Sequence, residues 1–213
     1  MIDVLYNGYP FKPKIGCFGI GSSYLVHAKK NILFDTGSYG ARKKIIELLN
    51  TNKIDCVVIS HLHFDHCSNL DLFCDTSIPI YISKAEYNNY FKDRIKDYDL
   101  FSYFFTIEKH LNIILVTDMI SIVPNVHIIF TPGHTLGHIS LEINEGEKIL
   151  LAGDALKTYR DYKNIDLFGN AVSKEQYIET KKKIINCYNH IYCGHDGEII
   201  NGILKNRGDV CEF

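Results

Sequence analysis

No stretch of about 18 or more apolar residues runs through this chain, so no transmembrane helix is expected. The first residues, Met1 to Gly8, lack the charged start, apolar run and cleavage site of a secretory signal. Cysteine pairing signals are missing too. The seven cysteines (17, 56, 67, 74, 187, 193 and 211) are odd in number, and none stands in CxxC spacing. That excludes a zinc knuckle or dithiol redox motif and predicts free thiols in a reducing, cytoplasmic setting. Cys67 and Cys193 read as small buried hydrophobes. Excess charge is lacking: the formal net charge is -2, which argues against a dominant nucleic-acid surface. No repeat, low-complexity tract, Pro/Gly-rich linker or GxSxG nucleophile motif occurs, so residues 1–213 are expected to form a single domain.

What remains is an ordinary globular composition, 46% hydrophobic and 23% charged in 213 residues. Residues 22–27 and 31–35 suggest a hairpin around Ala28-Lys29-Lys30. Residues 40–50 carry a helical apolar pattern through Ile45, Ile46, Leu48 and Leu49. Apolar runs at 54–59, 79–82, 126–131, 138–143, 148–152 and 190–193 predict strands. Helices are expected from Lys84 to about Phe91 and over 174–187, the latter with Ser173 as N-cap and Gln176 at the capping-box position. Strands outnumber helices without strict alternation, which favours layered sheets with helices outside.

Chemistry concentrates at the strand ends. The run at 54–59 leads into Ser60-His61-Leu62-His63-Phe64-Asp65-His66, four metal-binding side chains within six residues. A buried strand would not tolerate them, because each unpaired polar group costs roughly 1–3 kcal/mol. In extended chain His61 and His63 fall on one side, and a turn after Phe64 can bring Asp65 and His66 to a second point. Three other strands end in Gly133-His134, Gly153-Asp154 and Gly194-His195. Glycine lets each backbone turn sharply there. Imidazole nitrogen and carboxylate oxygen are the donors of catalytic zinc sites, though iron and manganese accept them as well. The remaining histidines His27, His110, His127 and His190 read as structural.

These residues resemble the metallo-β-lactamase superfamily: the HxHxDH string at 61–66, the later His134, Asp154 and His195, and Leu33-Phe34-Asp35-Thr36-Gly37. The resemblance spans roughly residues 20–200. It implies an α/β fold of the α+β type, a four-layer αββα sandwich, and two metal ions, most simply zinc. His61, His63 and His134 would hold the first metal; Asp65, His66 and His195 the second; Asp154 would bridge them. Asp35 would orient a ligand histidine, and His138 would support the site or face the substrate. The implied activity is hydrolysis of a small-molecule ester, lactone or thioester, with Asp65 or Asp154 handling a proton. A phosphodiesterase or nuclease, a mononuclear iron dioxygenase and a non-catalytic metal-binding sensor are the alternatives on the same scaffold.

Within the superfamily the string is similar to the N-acyl homoserine lactonase branch. That branch carries a substrate-contacting tyrosine three residues after the bridging aspartate, where this chain has Lys157; Tyr159 and Tyr162 are near but out of register. Lys157 and Tyr159 are therefore the substrate-side candidates. Between His66 and His134 lies an aromatic stretch including Tyr87, Tyr90, Phe91, Tyr98, Phe101, Tyr103, Phe104 and Phe105. It is expected to form a lid over an apolar substrate arm, with core filling or a dimer contact as the alternatives.

Overall fold

The computed structural model describes residues 1–8, 20–92 and 98–206. Six strands make the first sheet: β1 (Ile2–Tyr6), β2 (Ser23–His27), β3 (Asn31–Phe34), β4 (Cys56–Val58), β5 (Ile80–Ser83) and β6 (Ile113–Val116), in that spatial order. Helix α1 (Arg42–Asn50) connects β3 to β4, and the short α2 (Phe64–Cys67) follows β4. Helices α3 (Lys84–Lys92) and α4 (Tyr98–Ile107) stand between β5 and β6. Seven strands make the second sheet: β7 (Ile120–Val123), β8 (Val126–Phe130), β9 (Ile139–Asn144), β10 (Lys148–Leu151), β11 (His190–Tyr192), β12 (Glu198–Ile200) and β13 (Ile203–Lys205), again in sequential order. Helices α5 (Tyr159–Lys163) and α6 (Lys174–Cys187) lie between β10 and β11.

Side-chain alternation builds the layers. Tyr24, Val26, Ile32, Phe34, Cys56 and Val58 point between the sheets, where they meet Ile128, Leu141, Ile143 and Leu151. Their neighbours Leu25, Leu33 and Val57 point outward onto Ile45 and Leu48 of α1 and Phe104 of α4. On the other sheet Leu150 and Ile191 pack outward against Ile184 of α6. Strands covered on both faces are expected to be apolar throughout, as Cys56-Val57-Val58 is. The result is the expected helix–sheet–sheet–helix sandwich. Among the described residues no helix is long and apolar enough to cross a membrane.

The predicted hairpin forms as β2–β3, with Leu25 opposite Leu33. Helix α6 spans the predicted 174–187, and Ser173 Oγ accepts the Gln176 amide at 3.4 Å. A reciprocal capping box stands at α5 instead, between Thr158 and Asp161.

The aromatic stretch is corrected in part. Residues 93–97, and the side chains of Phe91, Tyr98 and Phe101, lie outside the described residues. Phe104 is fully buried in the outer core, edge-on to Tyr87 and Tyr90. Tyr103 Oη lies 2.9 Å from the Ser68 carbonyl and from Asp71 Oδ1. These residues fill core and anchor α4; Phe105 is exposed.

Candidate metal centre

The long-range pairing β3–β4–β5 is parallel, and the β10–β11 pair is parallel as well. Chain segments that leave these strands therefore emerge at common edges, which brings together residues far apart in sequence. His61, His63, His134 and Asp154 offer donor atoms within 4.8 Å of one another, and so do Asp65, His66 and His195. All seven predicted ligands converge.

In the first cluster His63 Nδ1 lies 2.9 Å from His61 Nε2 and 3.0 Å from His134 Nε2. Asp154 Oδ2 lies 3.1 Å from His134 Nε2 and 3.8 Å from His61 Nε2. In the second, Asp65 Oδ2 lies 3.3 Å from His195 Nε2 and 3.7 Å from His66 Nε2. Asp154 turns its other oxygen there: Oδ1 is 3.0 Å from His195 Nε2 and 3.2 Å from His66 Nε2. One carboxylate thus addresses both clusters.

The donor set fits metal ions. Ring nitrogens face one another across 2.9–3.5 Å, and Asp154 Oδ1 is buried without a regular hydrogen bond. Buried polar groups are normally paired, and a cation between these donors would satisfy them together. Burial pushes His61, His63 and His134 below the usual imidazole range, which favours the neutral rings that ligate metal. Burial would lower His66 too, but Asp154, Asp65 and Asp35 hold it well above. Burial would raise Asp154, but His195, Lys157, His66 and His134 hold it well below the carboxylate range.

The predicted supporting residues fall in distinct places. Asp35 is buried at the end of β3 with φ 55°, a left-handed conformation uncommon outside glycine. Its Oδ2 lies 2.8 Å from His66 Nδ1, and its Oδ1 accepts the Ser60 amide at 2.7 Å. Such a carboxylate fixes the ring so that Nε2 faces the metal. Ser60, which motif reading passed over, donates its hydroxyl to Asp35 Oδ2 at 2.7 Å and stands 3.0 Å from His61 Nδ1.

His138 lies behind the cluster. Its Nε2 accepts the Asp154 amide at 3.1 Å, and its Nδ1 meets Thr131 Oγ1 at 2.8 Å. Burial pushes its pKa down to about 3, so the ring stays neutral and can accept that amide. Lys157 reaches into the site, with Nζ 2.9 Å from Asp154 Oδ2 and 3.2 Å from Asn170 Oδ1. Tyr159 does not: its hydroxyl donates to the Gly202 carbonyl and its ring stacks on Tyr162. Position alone suggested it; the α5 cap turns it away. His27, His110, His127 and His190 each bond a residue outside both clusters, as expected.

Glycines allow the close approach. A Cβ at Gly194 would lie 2.4 Å from Asp154 Oδ1 and 2.8 Å from the Gly153 carbonyl carbon. At Gly133, with φ 132°, it would lie 2.3 Å from the Tyr177 amide nitrogen.

Known proteins align with this architecture. The family model of the metallo-beta-lactamase superfamily matches residues 18–195. An N-acyl homoserine lactonase of Bacillus cereus is 31% identical over 155 residues, covering 67% of this chain and 56% of that protein. This chain therefore spans little more than half the length of such lactonases. A Methanocaldococcus jannaschii protein named as a probable metallo-hydrolase is 31% identical over 197 residues, covering 87% of this chain and 92% of that one. The structure of a dizinc quorum-quenching lactonase, 18% identical, shares the fold with a TM-score of 0.65 over 90% of this chain and 81% of that one. With the αββα layers and both clusters in place, the chain belongs to the metallo-β-lactamase superfamily.

Proposed function

We propose that this chain is a dinuclear metal-dependent hydrolase that cleaves a small-molecule ester, lactone or thioester. The observation that carries this reading is Asp154, whose two oxygens face two separate histidine-containing clusters. Two zinc ions fit the nitrogen-rich donor set, with iron or manganese chemically admissible. Bound metal ions would supply activated water at neutral pH and draw electron density from the scissile carbonyl.

The residues of the chain do the rest. His61, His63 and His134 keep their rings neutral and aimed inward. Asp65, at 15% side-chain exposure the most open of the carboxylates, is placed to carry a proton to the leaving oxygen. The Lys157 ammonium, 26% exposed, offers positive charge to the carboxylate that acyl hydrolysis produces. Phe64 and Leu136, both about half exposed, stand one residue after His63 and two after His134 in the chain and would offer apolar surface beside those loops. That surface suits an acyl arm, consistent with the lactonases among the relatives. The described cysteines are all free, which suits the reducing cytoplasm kept in this reading.

Metal analysis of protein purified without added metal, paired with an ester, lactone, thioester and phosphodiester panel, tests the proposal. About two equivalents of zinc with carbonyl-centre turnover is the expected result. Phosphodiester turnover alone would transfer the chain to the nuclease class. One iron without hydrolysis would indicate dioxygenase chemistry, and two metals without turnover a sensor.

A further inference from the structure

Asp35 and Glu86 are buried carboxylates outside the ligand set that touch the metal loops. Asp35 serves His66 directly. Glu86, in the first turn of α3 and only 6% exposed, belongs to neither cluster. Its Oε1 accepts the amide of Leu62 at 3.0 Å. Leu62 is the residue between His61 and His63.

The backbone of Glu86 meets the loop that carries His134. A Cβ on Gly137 would lie 2.0 Å from the Glu86 amide nitrogen and 2.5 Å from its Cα, so the loop rests directly on the helix backbone. Burial raises the Glu86 carboxyl, while the Leu62 amide, the Thr135 hydroxyl and the Gly137 amide pull it down. Thr135 Oγ1 and Glu86 Oε2 stop short of a regular hydrogen bond, so Leu62 is the firm contact and the second loop a looser one.

The histidines differ in how their rings are held. His61 Nδ1 has Ser60 Oγ and His66 Nδ1 has Asp35. His134 Nδ1 is buried with no partner. No side chain hydrogen-bonds that ring from behind, so its aim leans on its backbone loop and on the neighbouring Tyr177 ring.

We propose that Glu86 is a positioning residue that joins the His61–His63 loop to the His134 loop and thereby sets the geometry of the first metal site. The inference rests on the dinuclear reading above. Removing the carboxylate takes away the anchor of Leu62 and the looser link to Thr135, leaving the His134 loop its packing on the helix backbone, while the second cluster, held by Asp35, keeps its own support. Losses of about 10–100-fold in metal affinity are usual for residues that orient ligands from behind.

The test is metal titration of Glu86→Gln, Glu86→Ala and the unaltered protein, with cobalt(II) as a spectroscopic substitute and thermal unfolding of the metal-free forms. The expected result is a loss of about 10–100-fold in affinity for one of two equivalents, with altered visible bands from the nitrogen-rich site. Glu86→Gln should be milder than Glu86→Ala, because it keeps an acceptor for Leu62. If Glu86→Ala does not fold, Glu86→Gln carries the test. Two equivalents bound with unaltered affinity and spectrum would overturn the inference, whatever the change in melting temperature. Failure of the unaltered protein to bind two metals would instead overturn the dinuclear reading.

Discussion

The two candidate metal clusters each draw ligands from one six-residue string, 61–66, yet differ in donors and support. The first takes three imidazoles and one oxygen of Asp154, and two of those rings, His61 and His134, are fully buried. The second takes two imidazoles, Asp65 and the other oxygen of Asp154; Asp65, like His63 of the first, is only partly buried. In the first, burial keeps the rings neutral. In the second, three carboxylates surround His66. Proximity in sequence therefore does not impose a common environment. The environment comes from what the fold packs behind each ring: a serine and a helix carboxylate on one side, the strained Asp35 on the other.

Asp154 is where the two clusters stop being separable. Asp154→Asn should empty both rather than one. Loss of several kcal/mol of metal-derived transition-state stabilisation corresponds to a rate drop of about 10³-fold or more. Metal content and kcat/KM together check this; retention of one tightly held metal would show that the clusters are more independent than their shared carboxylate suggests.

Asp35→Asn tests the second cluster, which Asp35 touches directly through His66. The variant keeps an acceptor for the Ser60 amide but weakens the partner of His66 Nδ1. Affinity for one of two metals should fall by about 10–100-fold. Cobalt bands of the nitrogen-rich site should persist, the reverse of the Glu86 outcome. Equal loss at both sites would mean that the Asp35–Ser60–His61 chain of hydrogen bonds couples them.

The seven residues that converge were readable as candidate ligands because four of them crowd into 61–66 and three more follow glycines at apolar strand ends. Asp35 and His138 came only from the family resemblance. Ser60 and Glu86 carry no such signal. Each is one polar residue whose importance arises from contacts across 25 and 24 positions, Ser60 to Asp35 and Leu62 to Glu86. The same limit applies to the fold. Buried strands such as Val126–Phe130 announce themselves by apolar runs. The edge strands β1, β6, β7 and β13 are half exposed, so their residues follow no clean alternation. Helix α4 escaped because adjacent aromatic residues, Phe104 and Phe105, serve core and surface in turn.

Gly194→Ala probes the route by which β11 approaches Asp154. The added methyl would collide with Asp154 Oδ1 and the Gly153 backbone. Overpacking of this kind costs about 1–3 kcal/mol. Thermal unfolding of the metal-free variant should show that loss, and the second metal, which depends on Asp154 Oδ1 and on His195 next door, should weaken more than the first. Equal weakening would place the strain on Asp154 as a whole.

The smallest effect is expected at Arg42 and Asp71, which join α1 to the segment after the second cluster. The pair is bidentate, at 2.9 and 2.7 Å, and each side chain is about one-third exposed or less. Solvent screening limits it to about 1 kcal/mol despite the good geometry. Burial would raise the Asp71 carboxyl, but Arg42 and Tyr103 hold it below its usual value. A depressed folded pKa contributes stability that is fully present above the unfolded carboxylate value of about 4 and is lost as pH falls through the folded value. Asp71→Asn should therefore lower the melting temperature at pH 7, and the gap from the unaltered protein should close below about pH 4. Neither metal affinity should change, because Asp71 touches α1 and Tyr103 rather than a ligand. A change confined to the second metal would show that this outer pair also helps to aim His66, and would widen the contrast between the clusters from their immediate neighbours to the helix layer.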